Sequence, residues 1–329
     1  MKEKASTIFD RQSNIQILRV LAIFAVILIH TCPNGFKQVV CRPFVNFAVP
    51  LFLFLSGYLT KIDRAHWGTF YKKRISKVIF PYALWSTLYS ISNMDFSHIV
   101  TDLFTAKAAG HLYFIPVYIQ FVLLTPLFGK LIRSTYRWVG WVIAPIATIL
   151  FKYVWLFSGF ELNTAVSTAY RISCLPWVTA YYLGLIIGNG YLEKNYQPRK
   201  LALLYLFSIG IQMGEGYIWW KLGAANCGSA LKLSAMLSSA VFCLIANNFI
   251  KSKAKISNFN WLVRIGDCSF GIYCSHILVL KVLRQIPGYD LLPFGVNSLI
   301  VMLTCFACVT IGQKICGQKL SRWLGIAAS

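Results

Sequence analysis

The chain of 329 residues is 57% hydrophobic and only 13% charged, and its formal net charge is +22. A soluble domain of that length does not bury so much apolar surface, so the bilayer must serve as solvent. The basic residues fall in short clusters between apolar runs, which is the pattern of membrane orientation rather than of nucleic-acid binding.

In chain order, apolar segments of near-spanning length run from Asn14 to Thr31, Phe44 to Thr60, Val78 to Met94, His111 to Gly129 and Trp138 to Phe157. They continue from Ile172 to Asn189, Leu201 to Trp220, Leu231 to Ile250, Gly266 to Arg284 and Leu292 to Gln313. This predicts an all-α, polytopic integral membrane protein of about ten transmembrane helices. The spans fill residues 1–329 as a single domain, with no room for an appended soluble one. Met1 to Gln12 is of mixed charge and no small-residue cleavage site follows, so no cleavable signal is expected.

Most of the 32 lysines and arginines lie on one side if the N-terminus is cytoplasmic. They include Lys61, Arg64, Lys72, Lys73, Arg74 and Lys77 in one connection and Lys251, Lys253 and Lys255 in another. The positive-inside rule then puts both termini in the cytoplasm. The ten cysteines read as small core residues. Cys32 and Cys41 share an expected outer loop, which leaves a disulfide between them open.

The first span contains "RVLAIFAVILIH", residues 19 to 30. From Arg19 to His30 an α-helix turns through about 1,100°, ~20° beyond three turns, and rises ~16 Å. Both side chains therefore share one face, Arg19 toward the cytoplasm and His30 toward the outer surface. Two readings stand. Either Arg19 snorkels to inner headgroups and His30 caps the outer end, or both face a polar interior as functional groups. In the second, His30 takes a proton from a hydroxyl and Arg19 holds a phosphate or carboxylate three turns below. Such a pair suits an acyl-coenzyme A threaded from the cytoplasm.

The Arg19-x10-His30 spacing resembles the first-helix signature of the membrane acyltransferase-3 family. "VPLFLFLSGYLT" at 49 to 60 is similar to that family's second helix, and "HLYFIPVYIQFVLLTPLF" at 111 to 128 resembles its His-Leu-Trp stretch. "CSFGIYCSHILVL" at 268 to 280 resembles its Ser-Tyr-Gly-Ile-Tyr segment ending in histidine. The four stretches are in the family's order, and the chain is most similar to its short, single-domain O-acetyltransferases. The resemblance implies transfer of an acyl group from cytoplasmic acetyl-CoA, a co-substrate, to a hydroxyl of an extracytoplasmic or lipid-linked glycan. It also implies a bacterial plasma membrane, with membrane lipids as partners and no metal or prosthetic group. Two departures stand out. Val117, Tyr118 and Ile119 occupy positions where larger relatives carry glutamates, although Gln120 remains, and the family's Arg-x-x-Arg pair appears as Arg74 and Lys77.

The site residues expected on this basis are His30, Arg19, His111 and Glu215 as catalytic groups, with Arg19, Arg74 and Lys77 binding the donor. Each has a plainer reading. His111 faces headgroups, and Arg74 and Lys77 only orient the chain. Glu215 pairs with a cation such as Lys152 or Arg171; its sharper role is to orient a catalytic histidine or to bind acceptor hydroxyls. Tyr273 and His276 share a helix face, with His276 read first as a packed core histidine. His66 and His98 read as solvated, Glu161 as an outer-loop acid, and Asp267 as a helix N-terminal residue. Ser56 and Gly57 read as a helix-packing contact, ahead of a serine nucleophile. The rival function is a transporter of a small polar solute or activated glycan, without acyl transfer.

Overall fold

The computed structural model describes residues 2–63, 66–158, 164–193, 196–252 and 260–327, with side chains from residue 12 onward. Of the residues singled out above, Arg64, Glu161, Lys253 and Lys255 lie outside the described ones. No strand occurs among the described residues. The helices are α1 (Lys2–Thr31), α2 (Lys37–Cys41), α3 (Ala48–Tyr58), α4 (Trp67–Ser92), α5 (Ile99–Thr105), α6 (Phe114–Arg133), α7 (Val139–Thr148) and α8 (Val154–Ser158). There follow α9 (Thr164–Ile172), α10 (Val178–Gly188), α11 (Pro198–Lys221), α12 (Leu233–Lys251), α13 (Asn260–Asp267), α14 (Ser269–Leu283), α15 (Val296–Ile315) and α16 (Gln318–Trp323).

Seven helical segments among the described residues are long and apolar enough to cross a membrane, or eight if one bent pair is a single span. The bent pair is a correction to the expected helix from Gly266 to Arg284. It breaks at Cys268, and α13 and α14 meet at 71°. Asp267 therefore closes α13 and stands two residues before α14. The expected span from Ile172 to Asn189 is likewise interrupted. Pro176 sits in a 3-10 turn over Leu175–Trp177, where its missing N–H costs no α-helical bond, and the apolar helix from Leu175 to Gly188 is short. Helix α4 starts at Trp67, ahead of the expected Val78, and its second half is diluted by Ser, Thr, Tyr and Trp. The span Val139–Ser158 carries a π-helical turn over Ile149–Tyr153.

The chain forms two compact units interleaved in sequence. The first comprises Met1–Thr60, Thr179–Ser269 and Pro293–Ser298. Within it α1 packs on α3, α12 and α13. The Asn14 side-chain amide donates to the carbonyls of Phe249 (2.9 Å) and Ser252 (3.2 Å), so the C-terminal end of α12 lies beside the start of the apolar part of α1. These two helices are thus antiparallel, and the N-terminal end of α12 lies toward the His30 end of α1. The expected packing role of Gly57 holds. A Cβ there would come within 2.3 Å of the Tyr181 carbonyl oxygen, and one on Gly184 within 2.1 Å of that of Phe54, so α3 and α10 cross backbone to backbone.

The second unit comprises Lys61–Val178, Phe270–Leu292 and Leu299–Ser329. Helix α4 packs on α5, α6 and α16. The Tyr89 hydroxyl grips α14, donating to the Cys274 carbonyl (2.8 Å) and accepting from the Leu278 N–H (3.1 Å). Trp85 donates its indole N–H to the Leu324 carbonyl at 3.0 Å, which anchors the turn after α16.

Candidate functional site

The expected site residues divide between the two units: Arg19, His30 and Glu215 in the first, His111, Arg74 and Lys77 in the second. Helix α1 runs unbroken through residues 19 to 30, so the Arg19–His30 interval is helical throughout, as the spacing requires. Both side chains are half-buried. Arg19 donates to the Gln16 side-chain oxygen one turn below (3.2 Å), while His30 lies in the last turn of α1.

Beyond that turn, residues 33 to 47 fold over the C-terminal end of α11, with Phe36 against Trp220 and Tyr217. Here a buried polar cluster forms. Asn46 donates to the Gln212 side-chain oxygen and to the Gly228 carbonyl (3.1 Å), and Gln212 donates onward to the Ser238 hydroxyl (2.7 Å). Lys232, one residue before α12, is fully buried and donates from Nζ to the carbonyls of Cys227 (2.8 Å) and Gln212 (3.3 Å). Burial, opposed by the attraction of Glu215, pushes its ammonium down to about 8.

Glu215 does not take the cations expected for it. Its Oε2 accepts from the backbone N–H (3.1 Å) and the hydroxyl of Ser234. Lys152 lies over the Tyr170 ring, and Arg171 donates to the carbonyls of Thr105 and Ala106. The physical reason is proximity along the chain. The α11–α12 connection is short enough to bring Ser234 and Lys232 back to the helix that carries Glu215, and neither was singled out from sequence.

In the second unit, His111 is buried at the turn before α6 and meets His276 of α14, with ring centroids 4.6 Å apart and planes at 69°. The Tyr273 hydroxyl donates to the His111 carbonyl (2.5 Å), and the Tyr273 carbonyl accepts from His276 Nδ1 (2.7 Å). A carbonyl only accepts, so this fixes His276 as the Nδ1–H tautomer and leaves the Nε2 lone pair as its acceptor. His276 is thus a core histidine, as its first reading had it, but one in contact with His111. The Tyr89 ring completes the surround, 5.3 Å from His111.

Arg74 donates to the Tyr118 hydroxyl (3.4 Å) and lies over the Phe70 ring, while Lys77, one turn on, is exposed. Gln120 has a structural task. Its amide donates to the Ile172 carbonyl (2.7 Å) and its oxygen accepts from the Cys174 N–H (3.0 Å), which pins the end of α9 to α6. His66 is exposed, and His98 is exposed and paired with Asp95 at 2.7 Å. Cys32 and Cys41 are neighbouring free thiols, not a disulfide, and burial pushes Cys32 up to about 11. Among the described residues no group of three or more His, Cys, Asp or Glu is placed to hold a metal ion.

Residues 12–312 match the model of the acyltransferase-3 family, described as an acyltransferase domain. No curated protein and no solved structure matches the chain.

Proposed function

The chain belongs to the acyltransferase-3 family and is a membrane acyltransferase, and we propose that it moves an acetyl group from cytoplasmic acetyl-CoA to a hydroxyl of an extracytoplasmic or lipid-linked glycan. In this reading it crosses the bacterial plasma membrane with both termini in the cytoplasm. The observation that carries the proposal is the family match over residues 12–312 together with the unbroken helix that presents Arg19 and His30 at a whole number of turns.

In the first unit the division of labour follows from side-chain chemistry. Arg19 offers a planar, permanently charged fork to an anionic group of the donor. His30, about 16 Å further along, supplies an imidazole that takes the proton of the acceptor hydroxyl as its oxygen attacks the thioester carbonyl. That attack forms the ester C–O bond, breaks the C–S bond and releases coenzyme A as the thiol. If His30 instead attacks first, an acetyl-imidazole precedes the ester. Glu215 serves the acceptor side. In the second unit, Arg74 and Lys77 are proposed to attract donor phosphates and His111 to take part in proton transfer.

The test uses protein purified in detergent, labelled acetyl-CoA and a glycan acceptor. Label transferred to the glycan without a sealed compartment supports the enzyme and excludes a pure carrier. Loss of transfer in His30→Ala supports the assignment of the base, and full retention overturns it. Label on the protein in the absence of acceptor separates the acetyl-imidazole route from direct transfer.

A further inference from the structure

The cluster at the His30 end of the first unit contains two opposite charges that do not close on each other. Lys232 is fully buried, and among the described residues no carboxylate forms an ion pair with it. Glu215 is close enough to act on it electrostatically. Yet Glu215 spends Oε2 on Ser234, and its buried Oε1 has no protein partner. Asn46 is 1% exposed and its Oδ1 also lacks a partner. The two carbonyls hold two of the three ammonium protons of Lys232. These groups converge, because Asn46 and Lys232 both bind Gln212 and the adjoining carbonyls of Gly228 and Cys227.

A purely structural cluster has a cheaper arrangement, a closed Lys–Glu pair with no bare acceptor, since buried polar atoms left unsatisfied cost free energy with no return. A hydroxyl is the small neutral group that suits this site. Its O–H donates to a carboxylate or amide oxygen while its lone pair accepts from an ammonium.

We propose that Glu215, Asn46 and Lys232 form a saccharide subsite that binds adjacent hydroxyls of the acceptor. One hydroxyl donates to Glu215 Oε1 and its neighbour to Asn46 Oδ1, and Lys232 Nζ donates its remaining proton to one of the two oxygens. The connection between α11 and α12 carries Lys232 itself and also supplies the Cys227 and Gly228 carbonyls that position Lys232 and Asn46. Gly216 makes room for the ammonium, since a Cβ there would stand 2.9 Å from Nζ. The proposal rests on the glycan-acylating reading above for its ligand class, and it gives Glu215 the role of hydroxyl binder rather than that of histidine orienter.

The experiment measures binding and transfer separately on the full chain in detergent. The probes are methyl glycosides of glucose, galactose, N-acetylglucosamine and glucuronic acid, titrated without donor while tryptophan fluorescence is read, since Trp219 is buried one turn from Glu215. Saturable binding of at least one glycoside is expected. Glu215→Gln and Gly216→Ala are expected to weaken it about tenfold or more, the loss of one charge-assisted hydrogen bond, with the melting temperature and the KM for acetyl-CoA retained. Absence of binding in the unaltered protein overturns the subsite, as does unchanged binding in both variants, which would mean that water alone fills it. Loss of binding only in proportion to loss of folding overturns it as well. Failure of the wider reading looks different: glycosides bind and respond to the variants, but no acetyl group is transferred to any of them.

Discussion

The Tyr273 hydroxyl donates to the backbone carbonyl of His111 at 2.5 Å, and both residues are buried. One residue therefore holds both His111 and His276, since the Tyr273 carbonyl accepts from the Nδ1–H of His276. Tyr273→Phe keeps the ring and the carbonyl but removes the hydroxyl donor, so the His111 carbonyl keeps the Phe114 N–H (3.2 Å) and loses its shorter bond. The expected cost is about 1 kcal/mol, the net value of one hydrogen bond, read as a lower melting temperature in detergent. Because His276 keeps its carbonyl partner, a loss of transfer in this variant reports on the position of His111. An unchanged melting temperature would remove the hydroxyl from any structural account.

The crossing of α3 and α10 is the least forgiving contact of the first unit. A Cβ on Gly184 would stand 2.1 Å from the Phe54 carbonyl oxygen and 2.9 Å from the Tyr58 nitrogen. Both are backbone atoms, which do not swing aside as a side-chain tip does. Gly184→Ala is expected to force the helices apart at a cost of about 3 kcal/mol, seen as reduced yield of monodisperse protein and an earlier thermal transition. Ala at Gly210, where an added Cβ meets nothing within 4 Å, is the matched control and leaves both measures unchanged.

What the sequence reveals and what it conceals divide along a physical line. Arg19 and His30 were legible because one helix carries both, and helical periodicity is a local property. Gly57 was legible as a contact, but its partner was not, since Gly184 comes from a short helix far along the chain. Glu215 stood out as a costly charge in an apolar run. Its neighbours Lys232 and Asn46 did not, because each sits outside α11 in its own segment and only tertiary packing brings them to that helix. The meeting of His111 with His276 is likewise a long-range event. The break at Cys268 escaped the apolar pattern because hydropathy is continuous across a bend that changes only direction.

The separation of Arg19 from His30 predicts a split in kinetic constants. Arg19→Ala removes a group assigned to the donor's anionic end, so the KM for acetyl-CoA is expected to rise about tenfold to a hundredfold. Arg19→Lys recovers part of that, because it restores charge without the planar fork. His30→Ala is expected to lower kcat by about a hundredfold or more while leaving the donor KM nearly unchanged. If the two variants change the same constant in the same proportion, the assignment of separate roles to the two ends of α1 fails. Initial rates at varied acetyl-CoA and fixed acceptor decide it.

Lys232 makes a prediction about pH whose sign follows from linkage. Its ordinary value is 10.5, and in the folded protein burial holds it down to about 8. Between those values the unfolded chain binds a proton that the folded chain has released, so stability rises as pH climbs from 8 toward 10.5 and is flat with respect to this group below 8. The full gain is on the order of 3 kcal/mol. The charged and titratable groups around the ammonium are Glu215, Cys227 and Arg42, of which Glu215 and Cys227 favour the charged form and Arg42 opposes it. Lys232→Met should therefore abolish the rise, and Cys227→Ser should preserve it, in thermal melts taken at half-unit steps from pH 7 to about 10.5. A rise that survives in Lys232→Met, or disappears in Cys227→Ser, would locate the titration elsewhere.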